Sequence, residues 1–200
     1  VSDKKILELE KATKQTELQQ LKKQINPHFL FNMLNNANIL VKDAPDEASQ
    51  ILEKLDNLLR YQLNDSTRRE VFLTADIQFL TSFLELEKVR RDHFEYTIFQ
   101  EGNMENICIP PLLFIPFVEN AVKHNLDSDN LSYVHLYFSV HNKQLTFRCE
   151  NSKPRVPVKR EGGIGLANVK RRLDLLYESR YTLQIEDKET TYNVNLHLNL

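Results

Sequence analysis

The chain has 200 residues, of which 41% are hydrophobic and 27% are charged, and its formal net charge at pH 7 is −2. This balance is typical of an ordinary globular chain and argues against a nucleic-acid surface, because the basic residues are scattered among acidic ones. Cys108 and Cys149 lack C-x-x-C spacing, which favours a reducing compartment. No apolar run reaches the about 20 residues of a membrane span, and no signal peptide is recognisable. Since the sequence starts at Val1, we expect a fragment whose upstream part could hold a membrane anchor.

The first half of the chain carries helical patterns. Residues 4–25 are polar with a broken apolar seam, which is typical of a helix that continues from upstream and coils with a partner. The pattern resumes after Pro27, and "KDAPDEA" predicts a stop and a restart before a wide apolar face over 46–64. A short connection makes the two helices antiparallel, so two copies of this hairpin would complete a four-helix bundle. A further helix is predicted over 74–91.

Beyond residue 93 the pattern changes to the period-two alternation of half-buried strands. The predicted strands are "FEYTIF", "YVHLYFSV", "QLTFRCE", "YTLQIED" and "YNVNLHLNL". Two helical segments, at about 111–126 and 165–177, interrupt them. The simplest architecture has these helices on one face of a mostly antiparallel sheet.

These elements predict an α+β chain in three parts. The first is a helical dimerisation region over 1–66, the second a connecting helix over 67–92, and the third an α/β sandwich over 93–200. The connection at 64–74 is the expected hinge.

His28 is the first candidate functional residue, in "KKQINPHFLFNMLNN". Its helical face carries only neutral amides, from Gln24, Asn32 and Asn35. Amides can orient an imidazole without adding a charge, and an exposed neutral imidazole is a competent nucleophile. Pro27 weakens the local helix and would keep the ring accessible. The alternative is an exposed histidine on an ordinary helix; a zinc site is disfavoured, because HxxxH and HExxH spacings are absent.

A glycine cluster is the second candidate. Three of the four glycines fall in "EGGIGLANVKRRL". Glycine lets backbone N–H groups approach a phosphate, and a helix that begins near Gly165 would direct its positive end at the same anion. A flexible loop that leads into a helix is the alternative.

The segment "PPLLFIPFVENAVKHN" is the third candidate. Its apolar residues face a core, which leaves four polar side chains toward the rim: Glu119, Asn120, Lys123 and His124. Asn120 offers a neutral oxygen of the kind that can hold Mg²⁺ bridged to phosphates, and Lys123 could meet a phosphate oxygen. An exposed helix with a Glu119–Lys123 pair is the alternative.

Together the three motifs resemble the LytS-like subfamily of sensor histidine kinases. "QINPHFLFNMLN" is similar to that subfamily's phosphoacceptor box, "PFVENAVKHN" to its N box and "GGIGLANVKRRL" to its glycine box. The bridging "LELEKVRRDHFEY" is similar as well, so the resemblance runs from about residue 18 to the end. It implies a dimerising phosphotransfer module followed by a Bergerat-type, histidine-kinase ATPase domain.

The resemblance also implies roles. His28 would be the phosphoacceptor, Asn120 the Mg²⁺ ligand through the nucleotide, and Glu119 a candidate base. The other candidate ATP-binding residues are Lys123, His124, Glu150, Asn151, Gly163, Gly165 and Leu166. The cofactors would be ATP and Mg²⁺, and the partners a second copy and a response-regulator receiver domain, without nucleic acid. The location would be the cytoplasmic region of an inner-membrane protein, anchored only through upstream segments.

One segment departs from the superfamily pattern. Kinases of this superfamily usually carry Asp-x-Gly to hold the adenine amino group, whereas this chain carries "CENSKP". Either Glu150 or Asn151 would face the base, and Ser152 stands where a glycine is expected. The expected lid over 154–161 is short and basic.

Two other functions stay open. The altered "CENSKP" segment favours a dimeric scaffold of weak catalytic activity that binds a regulator. An ATP-hydrolysing clamp on the same sandwich would make no use of His28.

Overall fold

A helical part precedes an α/β part in the computed structural model, which describes residues 13–14, 27–127, 130–155 and 164–200. The helices are α1 (Pro27–Asp43), α2 (Pro45–Leu63), α3 (Leu73–Arg90), α4 (Ile115–His124) and α5 (Ile164–Tyr177). The strands are β1 (Val71–Phe72), β2 (Phe94–Glu101), β3 (Cys108–Ile109), β4 (Ser132–His141), β5 (Gln144–Ser152), β6 (Tyr181–Asp187) and β7 (Thr191–Asn199). The predicted helix over 4–25 lies outside the described residues, apart from the helical Thr13 and Lys14.

The hairpin of α1 and α2 has two apolar sides. Pro45 in the first turn of α2, followed by Asp46 and Glu47, suits the positive end of that helix. The buried apolar residues of the hairpin are Met33, Ala37, Ala48, Ile51, Leu55 and Leu58. Another set is exposed: Phe31, Leu34, Ile39, Val41, Leu52 and Leu63. The described residues therefore cover only one side of the hairpin.

Helix α3 lies between the hairpin and the rest of the chain and is buried on most of its circumference. On the hairpin side, the rings of Phe29 and Phe83 are 4.9 Å apart, and Lys54 Nζ lies 3.1 Å from Glu85 Oε2. Immediately before α3, β1 pairs antiparallel with β3, and Leu73 N–H donates to the Ile107 carbonyl at 2.8 Å. The start of α3 is thus attached to the α/β part.

The predicted hinge at 64–74 contains regular structure. A 3₁₀ turn spans Asp65–Thr67, and β1 occupies Val71–Phe72. The residues between them, 68–70, are all exposed. A pivot in this connection is therefore confined to the part before β1.

The main sheet has five strands in the order β2-β4-β5-β7-β6. β2 runs parallel to β4 with Phe94 opposite Ser132, and the other three pairs are antiparallel. All five predicted strands and the mostly antiparallel arrangement are confirmed. The parallel pair requires a crossover, and that connection contains β3 and α4.

The two faces of the sheet differ in polarity. The inner face, which packs against the helices, carries buried side chains such as Phe138, Phe147 and Leu196. The rings of Phe114, in the turn before α4, and Phe147 are 4.6 Å apart. The outer face is polar, so one layer of helices covers one face of the sheet, as predicted. None of the helices in the described ranges is long and apolar enough to span a membrane.

Candidate functional site

His28 is exposed on the first turn described for α1. Asn32 Nδ2 lies 3.3 Å from His28 Nδ1, which confirms that an amide of the predicted polar face contacts the ring. Because an amide N–H can only donate, Nδ1 accepts in this arrangement and the neutral ring carries its proton on Nε2. Asn35 is also exposed, whereas Gln24 lies outside the described residues.

Phe29, the residue after the histidine, lines a crevice that α4 also lines. Phe29 packs on Phe83 of α3 and lines a narrow crevice together with Ile115 and Glu119 of α4. The rest of the crevice wall is formed by Leu30, Leu58, Gln62, Phe79 and Phe83. The histidine-bearing helix and α4 therefore line the same crevice.

The position of Glu119 corrects the predicted arrangement. Its side chain lies in this crevice on the hairpin side of α4, and not at the rim. Burial among apolar side chains raises the pKa of its carboxyl to about 7. A carboxyl with that pKa is protonated in part of the molecules at neutral pH and can accept a proton in the others.

Helix α4 is shorter than predicted, at 115–124 instead of 111–126. Pro110 and Pro111 precede it, and Leu112 has a left-handed φ of 56°, so the chain turns before the helix begins. At the other end, the Asn125 N–H donates the last helical hydrogen bond to the Ala121 carbonyl at 3.1 Å, and the helix ends there because the ψ of Asn125 is not helical.

Three of the predicted rim residues do share one side of α4. Asn120 and His124 are half-buried and Lys123 is exposed. Their spacings of three and four residues place them next to one another on the helix surface. They offer an amide oxygen, an ammonium and an imidazole along one stretch of about one turn.

Strand β5 decides between Glu150 and Asn151. Asn151 is 1% exposed and lies on the inner face of the sheet with Phe147 and Cys149, whose Sγ is 4.0 Å from the Phe117 carbonyl of α4. Asn151 Nδ2 donates to the Ser152 carbonyl at 2.9 Å, which leaves Oδ1 as an acceptor on the helix side.

Glu150 points the other way. On the outer face it forms an ion pair with Arg148, with Nη2 and Oε2 2.5 Å apart, and accepts a hydrogen bond from the Tyr133 hydroxyl at 3.3 Å. This position on the outer face argues against Glu150 and for Asn151 as the residue that would face the base. If Asn151 takes the aspartate position of Asp-x-Gly, the glycine position is Lys153 and not Ser152.

The glycine cluster is described only in part. Gly165 is the second residue of α5, which begins at Ile164 and confirms the predicted helix. Leu166 is half-buried and packs against the core. Gly163 and most of the expected lid, 156–161, lie outside the described residues.

A buried carboxyl that the sequence analysis missed joins the hairpin to α4. Asp76 of α3 is fully buried, and its Oδ1 accepts from the Tyr61 hydroxyl at 2.5 Å and from the Leu112 N–H at 3.1 Å. Burial raises its pKa to about 6, although the Tyr61 hydroxyl and the charge of Arg172 oppose this shift. An acid at helical spacing within an apolar stripe was the available signal, since Leu73, Ile77 and Leu80 surround it in the sequence.

Arg172 extends this network to α5. It is buried and donates to the Leu112 carbonyl at 2.5 Å and to the Pro111 carbonyl. The turn that leads into α4 is thus held from α3 by Asp76 and from α5 by Arg172. Among the described residues, no group of three or more His, Cys, Asp or Glu side chains could hold a metal ion.

The chain is similar to known sensor kinases. The sequence model of the family described as histidine kinase matches residues 16–94. Sensor protein LytS of Staphylococcus haemolyticus is 30% identical over 203 residues, which covers 94% of this chain and 35% of that protein. Sensor histidine kinase YpdA of Escherichia coli is 31% identical over 119 residues, 60% of this chain and 21% of that protein. The chain thus spans about a third or less of the length of these relatives.

Solved structures of the same fold are histidine kinase domains. That of the blue-light activated kinase of Erythrobacter litoralis matches with a TM-score of 0.51 at 17% identity, covering 94% of this chain and 93% of that chain. The nucleotide-free catalytic domain of histidine kinase ThkA matches with a TM-score of 0.50 at 15% identity, covering 65% and 93%. At such identities these matches establish the fold, a helical part followed by a sheet of the histidine-kinase ATPase type.

Proposed function

Because the chain belongs to the LytS-like sensor histidine kinases, we propose that it transfers the γ-phosphoryl group of ATP to His28 and then to an aspartate of a response-regulator receiver domain. The reaction needs a nucleophile, a cleft for the triphosphate and a path between them. The residues described above supply candidates for each.

In the first step a ring nitrogen of His28 forms a bond to the γ-phosphorus. The bond from that phosphorus to the β–γ bridging oxygen breaks, and ADP leaves with the electron pair. The ring proton passes to a base, for which Glu119 is the candidate, because its raised pKa and its place beside Phe29 suit such a transfer. If Nε2 is the nucleophile, the Asn32 amide must present Oδ1 to Nδ1–H instead of Nδ2.

Helix α4 and the turn before α5 would form the walls of the nucleotide cleft. Asn120 would hold a Mg²⁺ ion, and Lys123 and His124 would contact phosphate oxygens. The ion would supply positive charge that offsets the negative charge of the triphosphate. Gly163 and Gly165 would let backbone N–H groups approach the phosphates, and Asn151 Oδ1 would accept from the adenine amino group.

The observation that carries this proposal is the crevice shared by Phe29 and Glu119. The residue next to the exposed histidine lines the same crevice as the helix that bears the candidate nucleotide ligands. Phosphoryl transfer depends mainly on such positioning.

The test is incubation of the chain with γ-labelled ATP and Mg²⁺. We expect acid-labile label on the protein, absent in His28→Gln and retained in a variant of the exposed His93. Label that persists in His28→Gln would contradict the proposal. A parallel nucleotide titration separates loss of transfer from loss of binding.

A scaffold of weak catalytic activity is the second candidate function. The neutral Asn151 in place of an aspartate favours it, since an amide offers the adenine amino group a weaker acceptor than a carboxylate does. Nucleotide binding without labelled His28 would support this function. Phosphate release that His28→Gln leaves unchanged would instead support an ATP-hydrolysing clamp.

The proposed partners and location follow the same family. The exposed apolar side of the hairpin suits a second copy, which would complete a four-helix bundle. We place the chain in the cytoplasm, as the kinase region of a membrane-attached sensor protein.

A further inference from the structure

Arg91, the first residue after α3, joins three elements. Its Nη1 donates to Asn125 Oδ1 at 2.9 Å and to the Val122 carbonyl at 3.5 Å. Its Nη2 donates to Ser132 Oγ at 2.6 Å and to the Asn125 carbonyl at 3.4 Å. The guanidinium also lies over the Phe94 ring, 4.6 Å from its centroid. One side chain thus binds the end of α4 and the starts of β2 and β4.

The acceptors of Arg91 are themselves fixed. Asn125 is fully buried, and its Nδ2 donates to the Tyr133 carbonyl at 2.9 Å. Ser132 Oγ donates to the His93 carbonyl at 2.9 Å. The last carbonyls of a helix lack partners within the helix, and a cation placed there also complements the helix dipole. Arg91 therefore sets the position of the last turn of α4 relative to the sheet.

The last turn of α4 carries Lys123 and His124. We infer that Arg91 is a positioning residue for the phosphate end of the ATP site, acting through Asn125 and the carbonyls of α4. This inference rests on the proposed function, since it assigns a purpose to the alignment of residues that would contact the triphosphate. A displacement of about 1 Å at such residues is enough to weaken a site strongly.

The neighbouring Arg90 is a matched control. Its Nη2 lies 2.6 Å from Glu87 Oε2, three residues earlier in α3. It has the same charge and side chain and the adjacent position, but its ion pair stays within α3. A change at Arg90 removes a positive charge without releasing α4.

The experiment measures ATP affinity by titration and label on His28 for Arg91→Ala, Arg91→Lys and Arg90→Ala in the full chain. Thermal melts first establish a temperature at which every variant is folded. We expect Arg91→Ala to weaken ATP binding about tenfold or more and Arg90→Ala to change it by less than about twofold. The effect of Arg91→Lys should lie between these two, because an ammonium cannot donate to four acceptors in two directions. Equal effects at Arg91 and Arg90 would overturn the inference.

A double-mutant cycle with Lys123→Ala distinguishes positioning from general stability. If Arg91 acts by placing Lys123, the Arg91→Ala/Lys123→Ala variant binds ATP about as weakly as the weaker single variant. Fully additive losses would contradict the inference. If Arg91→Ala does not fold, Arg91→Lys and Ser132→Ala test the inference instead. Ser132→Ala should weaken ATP binding about threefold, because Arg91 loses one acceptor. Wild-type protein that binds no ATP would refute the proposed function itself.

Discussion

Asn151 stands where the resemblance to sensor histidine kinases implies an aspartate. Its Nδ2 is used by the Ser152 carbonyl, so its Oδ1 is the atom left to accept from an adenine amino group. An ionised acceptor makes a hydrogen bond roughly twice as strong as a neutral one. The amide at this position therefore lowers the affinity that the same cleft could reach.

We predict that Asn151→Asp strengthens ATP binding about fivefold, because a carboxylate replaces the amide oxygen at a buried acceptor. Titration with ATP is the measurement. Glu150→Gln is the control, since Glu150 lies on the opposite face of the sheet, and it should leave affinity unchanged. If Glu150→Gln weakened ATP binding and Asn151→Asp had no effect, the assignment of faces would be wrong.

Glu119 makes stability depend on pH. Its folded-state pKa of about 7 lies above the ordinary value of 4.5, so the folded chain binds more protons than the unfolded chain between these values. The resulting stability is complete below about pH 4.5 and is lost as pH rises through about 7.

We therefore expect Glu119→Gln to flatten this dependence. Between pH 5 and pH 8 the free energy of unfolding should fall further in the wild type than in Glu119→Gln, by up to about 3 kcal/mol. Urea denaturation at both pH values measures the difference. The contribution of Asp76 to the pH dependence is the same in both proteins, so it cancels in the comparison. Exposed Glu105→Gln is the control, and parallel pH profiles for wild type and Glu119→Gln would count against a raised pKa.

At the scale of elements, α3 joins the hairpin to the α/β part. Its Asp76 binds Tyr61 of α2 and the turn that leads into α4, and its Glu85 pairs with Lys54 of α2. Among the described residues no group satisfies Asp76 Oδ2, so the carboxyl depends on the partners of Oδ1. Removal of one of these partners leaves the buried carboxyl with fewer hydrogen bonds, which destabilises the folded state.

Tyr61→Phe should lower the free energy of unfolding by about 1–2 kcal/mol, because Asp76 loses a buried donor while the ring packing on Phe79 is kept. Chemical denaturation followed by circular dichroism measures this change. Tyr133→Phe, which removes a hydroxyl from the outer face of the sheet, should change it by less than about 0.5 kcal/mol. Similar values for the two variants would show that the Asp76 hydrogen bond is not structurally important.

The elements differ in how well their sequence predicts them. Period-two alternation marks the five long strands, because each has one buried face; β1 and β3 have two residues each and show no period. The same alternation, through Phe147 and Cys149, places Asn151 inside and Glu150 outside in the structure, although the sequence analysis left both residues open. Neither Glu119 in the crevice nor Arg91 at the end of α4 could be predicted, since both positions depend on contacts between distant segments.

At the scale of the whole molecule, the exposed side of the hairpin carries large apolar side chains. On the hairpin, Ile39 is 70% and Phe31 64% exposed, and both lie on the side that α3 does not cover. Several large apolar side chains on one face are typical of a surface that another protein covers.

Ile39→Lys should convert the proposed dimer to a monomer, because a charge in an apolar interface is costly to bury. Light scattering after gel filtration gives the mass directly. Phe99 on the outer face of the sheet is 57% exposed, so Phe99→Lys is the matched control and should leave the mass unchanged. A monomeric wild type, or a dimer that survives Ile39→Lys, would reject the hairpin as the interface.

The short ladder between β1 and β3 limits how the hairpin can move. With Val71 opposite Ile109, the start of α3 is attached to the α/β part, so a turn of the hairpin about residues 64–70 would move α2 relative to α3. Such a turn would pull the Tyr61 hydroxyl away from Asp76. The Asp76 carboxyl would then keep only its hydrogen bond with the Leu112 N–H, just before α4. A rotation of the hairpin would in this way be transmitted to the proposed nucleotide cleft through the side chain of Asp76 and not along the backbone.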